Sequence, residues 1–486
     1  MILAFLAATL GVFQAAPCNL EGVPAGYEQK HAIECGWITV PISHDQPNGK
    51  SIKLWTARVR GTGNKLDIDP VLYINGGPGI ATVDSMLPYL ASSKTMALLR
   101  EGRDLILFDQ RGSGRSGEVL CPDLAKALSA IGAEGLDPTT EDDRERAEFA
   151  KCRAETMAAG SDLNAYTTRA TVIDMELIRT AIGATQWNLA GISYGTLVAL
   201  DAMRVTPNSI RSVILNSPYP PNSALWAEQA TSAAEGFAAI DRECAAQAQC
   251  RERYGPLVSK LEETLARLEQ TPIKDGEKSI TGRQWARAIW PLAVRSSTVK
   301  FVPLAIHRAH SGDTDLIKKM VTMFAGGGSF GGFSPAQARA ISCYESGRTA
   351  EWYARARRLH PALVSAAPDD SWDRLCAEFR PGFADASFFA PVSSTIPALI
   401  FAGSLDLATP PVDAYQTTRF LQNATLVEVR GASHGPMVED ACTTAIAKAF
   451  LASPTLRPDL ACIAKRPSIV FATEGLDELL APSDGK

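Results

Sequence analysis

The chain lacks most features that would assign it to a special class at once. It holds only six histidines, and none of its ten cysteines forms a C-x-x-C pair, so the ligand spacing of a zinc site is absent. Its apolar runs all fall short of the ~18 residues that mark a membrane-spanning helix. Basic residues are not in excess: 48 Lys and Arg against 53 Asp and Glu leave a net charge of −5. That balance gives no sign of the basic surface that binds nucleic acid. With 37 glycines and 30 prolines in 486 residues, neither a collagen nor a disordered composition is indicated. What remains, 46% hydrophobic and 21% charged residues, is the balance of a globular chain with room for a core and a large insertion.

The first segment carries an apolar run over residues 2–13. It is too short to span a bilayer but suits the apolar region of a secretory leader ending at residue 16. The even cysteine count, at 18, 35, 121, 152, 244, 250, 343, 376, 442 and 462, agrees with export. It predicts disulfides, mostly between sequence neighbours, in a periplasmic or secreted protein.

Strand-like runs bounded by turn residues recur at 37–43, 52–60, 71–74, 104–108, 187–190 and 213–216, and again at 398–402 and 425–429. Several are short and largely apolar, as in strands covered on both faces of a parallel sheet. Helical periodicity between them, as in 171–182, gives the alternation of an α/β fold. Residues 218–392 read instead as helices with few β-branched runs. The expected architecture is a mostly parallel eight-stranded sheet with a large helical cap inserted between the sixth and seventh strands. Its first core part spans 17–217, the second 393–471, and a polar tail covers 472–486. The Gly-rich segment 325–333 has no strand before it and no Lys-Ser/Thr after it, so it is a loop and not a phosphate cradle.

The strongest local signal is Gly191-Ile192-Ser193-Tyr194-Gly195. A strand runs into it and a helix leaves it, the setting in which a sharp turn exposes a nucleophilic serine at the sheet edge. A serine hydroxyl needs a base and an orienting acid, which in this architecture follow in the order acid, then histidine. His434, in Gly431-Ala432-Ser433-His434-Gly435 after the last strand, is the candidate base. Asp406, at the end of the seventh strand, is the candidate acid, with Asp413 as the alternative. For the oxyanion, one N–H donor comes from Tyr194. The other comes from Asn75-Gly76-Gly77-Pro78-Gly79, with Gly77 preferred and Gly76 the alternative. Metal and organic cofactors are not needed, because nucleophile, base and donors are all protein groups.

Asn75-Gly-Gly-Pro-Gly79, Asp109-Gln-Arg-Gly-Ser-Gly-Arg-Ser116, the serine pentapeptide and the Asp406 and His434 loops together resemble the proline iminopeptidase and tripeptidyl aminopeptidase group of α/β-hydrolases. The similarity runs from about Cys35 to Cys462 and is loosest in the insertion. It implies an α/β-hydrolase fold and a serine exopeptidase acting through an acyl-enzyme on peptides with a free N-terminus. It also implies that acidic cap residues hold the substrate's ammonium group. Glu345 is the position carried over, with Glu228 second, since a buried carboxylate recognises an amine by charge-assisted hydrogen bonds. Asp109 and Arg111 read as braces beside the site. Two departures leave substrate length open: Asn75 stands where the iminopeptidases have His, and the cap is longer. The competing readings are a carboxylesterase with the same triad and a binding protein that keeps the fold without catalysis.

Overall fold

The computed structural model describes residues 10–20, 23–63, 69–93, 97–117, 120–223, 225–276, 278–324, 332–346, 354, 358, 371–379 and 382–481. Its main sheet is built from β1 (Phe13–Ala16), β2 (Ile33–Pro41), β3 (Ser51–Val59), β4 (Val71–Ile74), β5 (Leu105–Phe108), β6 (Trp187–Ser193) and β7 (Ile210–Pro218). After the insertion, which carries a hairpin of β8 (Ile273–Asp275) and β9 (Lys278–Ile280), it ends with β10 (Ala398–Gly403) and β11 (Ala424–Val429). The order across the sheet is β1-β2-β3-β5-β4-β6-β7-β10-β11. Pairing is antiparallel from β1 to β5 and parallel from β5 to β11.

Burial explains the sequence pattern of the central strands. Every residue of β4, β5 and β10 is buried, because helices cover both faces of the parallel part and leave no polar side. The helix Thr168–Ala181 is capped by the Thr167 hydroxyl, which accepts from Ala170 N at 3.0 Å, and buries Val172, Met175 and Ile178 against the sheet.

The sheet has nine strands where eight were expected. The additional one, β1, lies within the segment read as a leader and pairs with β2 through Phe13↔Ile38 to Ala16↔Cys35. It is a short edge strand with two of its four residues exposed, so it carries no apolar run or alternation to reveal it. Residues 1–9 lie outside the described residues, as do 325–331 of the Gly-rich segment.

Between β7 and β10 the chain is mainly helical, with Leu225–Ala246, Leu257–Gln270, Gly282–Val294, Val302–His310, Thr314–Phe324 and Pro335–Glu345 among its helices. The first five share a core of their own, including Phe237, Trp285, Leu292 and Met320. Phe471, Leu476 and Leu480 from the chain's end are buried in that same core. The segment expected to be a polar tail is thus anchored, with Ala472 N donating to Lys300 O at 3.0 Å. Three apolar side chains among many charges gave no periodic signal.

All ten cysteines are paired with sequence neighbours: Cys18–Cys35, Cys121–Cys152, Cys244–Cys250, Cys343–Cys376 and Cys442–Cys462. Among the described residues no helix is long and apolar enough to cross a membrane.

Candidate active site

The turn that presents Ser193 is forced by its neighbours. Ser193 has φ 55° and ψ −127°, a left-handed conformation that costs a side-chain-bearing residue of order 1–3 kcal/mol and persists where the surroundings impose it. Here β6 passes directly into the helix Tyr194–Val205. A Cβ on Gly195 would stand 2.1 Å from Ile74 O, and one on Gly191 2.4 Å from Gly195 O. Only glycine at both places lets the turn close against β4.

The loop after β4 lies on the serine: a Cβ on Gly76 would be 3.4 Å from Ser193 Oγ. Asn75 settles what the two glycines can offer. Its Oδ1 accepts from Gly76 N at 2.9 Å, so that N–H is engaged, while Gly77 N–H has no hydrogen-bond partner among the described residues. Gly77 also has φ 110°, open to glycine and strained for other residues. Asn75 is held in turn by Gln110, whose Nε2 donates to Asn75 O at 3.2 Å. The first N–H of the Tyr194 helix completes the pair of candidate donors.

His434 and Asp406 meet at the carboxyl ends of β10 and β11. His434 Nδ1 lies 2.9 Å from Asp406 Oδ2 and 3.1 Å from Oδ1. The carboxylate also accepts from Ala408 N at 2.9 Å, Thr409 N at 3.0 Å and Thr409 Oγ1 at 3.1 Å. Burial by itself raises the Asp406 pKa, but the facing imidazole and these donors outweigh it and hold the carboxyl below its ordinary range. Asp413, the alternative acid, is buried on the helix Pro411–Thr418.

The histidine loop is pinned beside the serine strand. Gly435 N donates to Ser217 Oγ at 2.9 Å and Met437 N to Asn216 Oδ1 at 3.0 Å, and β7, which carries both acceptors, pairs with β6 up to Ser193. Thr409 and Ser217 escaped the sequence reading. Thr409 follows Asp406 by three residues, the spacing of a side chain that bonds back across a turn, and this was the available signal.

The cap residues fare differently. Glu345 is buried, and its two oxygens accept from Thr168 N at 2.7 Å and Thr168 Oγ1 at 2.6 Å. Thr168 Oγ1 lies 2.8 Å from Tyr194 Oη. Glu345 is therefore tied to the first turn of the Thr168–Ala181 helix, next to the residue after the serine, and the geometry supports a strut between cap and core more than an ammonium anchor. The Glu228 side chain lies outside the described residues.

The two braces behave as expected. Arg111 is fully buried and forks onto Asp174 at 2.6 and 2.7 Å, with Ile42 O and Ala165 O each at 2.7 Å. Asp109 accepts from Val83 N and Arg115 N, both at 2.9 Å. Burial pushes its carboxyl up to about 7 against those two donors. Among the described residues no cluster of His, Cys, Asp or Glu could hold a metal ion.

Sheet order, helical insertion and serine turn together define an α/β-hydrolase. A family model described as alpha/beta hydrolase fold matches residues 69–251, and one described as TAP-like protein matches 364–462. The chain is an α/β-hydrolase, and its residues 364–462 are similar to TAP-like proteins. It is 29% identical over 215 residues to tripeptidyl aminopeptidases of Streptomyces coelicolor and Streptomyces lividans. It is 28% identical over 226 residues to the serine protease Hip1 of Mycobacterium tuberculosis, a stretch of 44% of this chain and 42% of that protein. The Streptomyces matches span 43% of this chain and 40% of each relative, so less than half of those proteins is compared. A solved proline iminopeptidase from Mycobacterium smegmatis superposes over 86% of this chain and 98% of its own, with 17% identity and a TM-score of 0.39.

Proposed function

We propose that the protein is an exported serine aminopeptidase that releases short N-terminal fragments from peptides with a free amine. Ser193 attacks the scissile carbonyl, and His434 takes its proton and later returns it to the leaving amine. Asp406 holds the imidazole in the tautomer this requires, and Gly77 N–H and Tyr194 N–H receive the oxyanion. The carrying observation is the bond from His434 Nδ1 to a carboxylate that three further donors also hold, in a loop pinned beside the strand that ends in the strained serine turn. Similarity to the Streptomyces tripeptidyl aminopeptidases supports peptides as substrates, and five disulfides support export.

One relative favours a second reading: Carboxylesterase B of Mycobacterium tuberculosis is 37% identical over 87 residues, 18% of this chain. The test compares Pro-, Ala- and Ala-Ala-Pro-p-nitroanilides with their N-acetylated forms and with p-nitrophenyl acetate, using Ser193→Ala as control. Amide cleavage that requires the free amine and disappears in Ser193→Ala is expected. Ester turnover without amide cleavage would establish the esterase instead.

A further inference from the structure

Gln337 sits in the first turns of the cap helix Pro335–Glu345 and is fully buried, at 0% exposure. Its backbone N–H is satisfied by Ser334 Oγ at 3.3 Å. Its carboxamide is not: neither Oε1 nor Nε2 has a hydrogen-bond partner among the described residues. A buried amide left without partners destabilises a fold, because it gives up water for nothing. Native chains keep such groups where function uses them.

Its position says what would use it. Gln337, Ile341 and Glu345 are four apart along the helix and share one face. Ile341 packs in the cluster that contains Tyr194 and Leu197, and Glu345 bonds to Thr168 beside Tyr194 Oη. The residues flanking Gln337 lie on the loop that carries Gly77: Ser334 N donates to Gly79 O at 2.8 Å, and a Cβ on Gly79 would be 3.3 Å from Ala338 Cβ. The stripe thus runs from the oxyanion loop towards the serine turn. Across the same loop, Gln110 spends its Nε2 on Asn75 O while its buried Oε1 has no partner.

We propose that the Gln337 carboxamide binds the main chain of the substrate on the acyl side, donating to a peptide carbonyl and accepting from a peptide N–H. A secondary amide offers that complementary pair, whereas a simple acyl ester offers no N–H. The inference rests on the peptidase reading and adds to it a residue that separates peptides from esters.

The experiment measures kcat and KM of Gln337→Leu on Ala-Ala-Pro-p-nitroanilide and on p-nitrophenyl acetate, with a thermal melt. Loss of two hydrogen bonds predicts a fall of roughly tenfold to a hundredfold in kcat/KM for the peptide, mostly through KM. Acetate turnover should stay within about twofold of wild type, and the melting temperature should be equal or higher because an unpaired amide is gone. Gln337→Met, nearer in length, serves if the leucine variant does not fold. Peptide kinetics within about twofold of wild type would overturn the proposal, as would a parallel fall on both substrates. If the wild-type enzyme cleaves no peptide, the peptidase reading fails first and this inference fails with it.

Discussion

Replacing Asp406 by Asn tests the site at the point where its geometry is most informative. The carboxylate faces two sets of donors: Oδ1 accepts from Ala408 N and Thr409 N, and Oδ2 lies closest to His434 Nδ1. An asparagine keeps its carbonyl oxygen on the two backbone N–H groups, because its amide cannot accept from them. The NH2 then points at His434 Nδ1 and at Thr409 Oγ1, which lies 3.1 Å from Oδ2. The imidazole must turn to the tautomer that accepts at Nδ1 and carries its proton at Nε2. It can then no longer take the proton of Ser193. Serine hydrolases with this substitution lose about ten-thousandfold in kcat, equivalent to about 5.4 kcal/mol in the barrier at 1.36 kcal/mol per decade. The fold should lose only about 1–3 kcal/mol, since every donor around the side chain retains a partner. Steady-state kinetics on the best peptide anilide, with circular dichroism to confirm folding, would decide. Activity within about tenfold of wild type would show that Asp406 does not orient the base. Asp413→Asn is the control and should retain activity within about threefold.

The remaining expectations concern the braces. Arg111→Met leaves Asp174, itself 0% exposed, with its arginine gone and the His44 imidazole at 3.0 Å as its remaining ionisable partner, and should destabilise the protein by about 3 kcal/mol in denaturant unfolding. A loss under about 1 kcal/mol would show that the pair is not buried as described. Asp109 has a carboxyl pKa raised above the ~3.9 of an unfolded chain to about 7. Its contribution to stability is full below about pH 4 and is lost as pH rises through about 7. Stability measured from about pH 5 to pH 8 should therefore fall, and the gap between wild type and Asp109→Asn should narrow with it. A gap that widens would reverse the sign of the argument.

How much of this was legible in the sequence follows from the range of each interaction. β4, β5 and β10 could be read because burial on both faces demands an apolar run whatever the neighbours are. Ser193, His434 and Asp406 could be read because strand ends and turn glycines announce themselves locally. Which of Gly76 and Gly77 has its N–H engaged could not, since it turns on where the Asn75 side chain points. The bonds that Glu345 makes could not be read either, for a plainer reason: Thr168, which donates to its carboxylate, lies 177 positions away. β1 and the buried end of the chain were missed because their apolar residues are few and are recruited by surfaces built elsewhere.

The contacts between insertion and core bear on what the insertion does. The oxyanion loop and the histidine loop are bonded to it directly, and the serine turn is linked to it through Thr168. Gly79 O, in the oxyanion loop, accepts from Ser334 N at 2.8 Å. His434 N donates to Val294 O at 3.0 Å, and Ser433 Oγ to Ala293 O at 2.7 Å. Glu345 reaches the neighbourhood of Tyr194 through Thr168. A lid that merely covered a finished site would need none of these bonds. Here the helices Gly282–Val294 and Pro335–Glu345 help position the histidine loop and the candidate oxyanion donors while also presenting Gln337 to the substrate. Small shifts of such positioning groups lower rates steeply. Substitutions in these two helices should therefore alter kcat as well as KM, whereas changes confined to the exposed face of the helix Thr314–Phe324 should leave both unchanged.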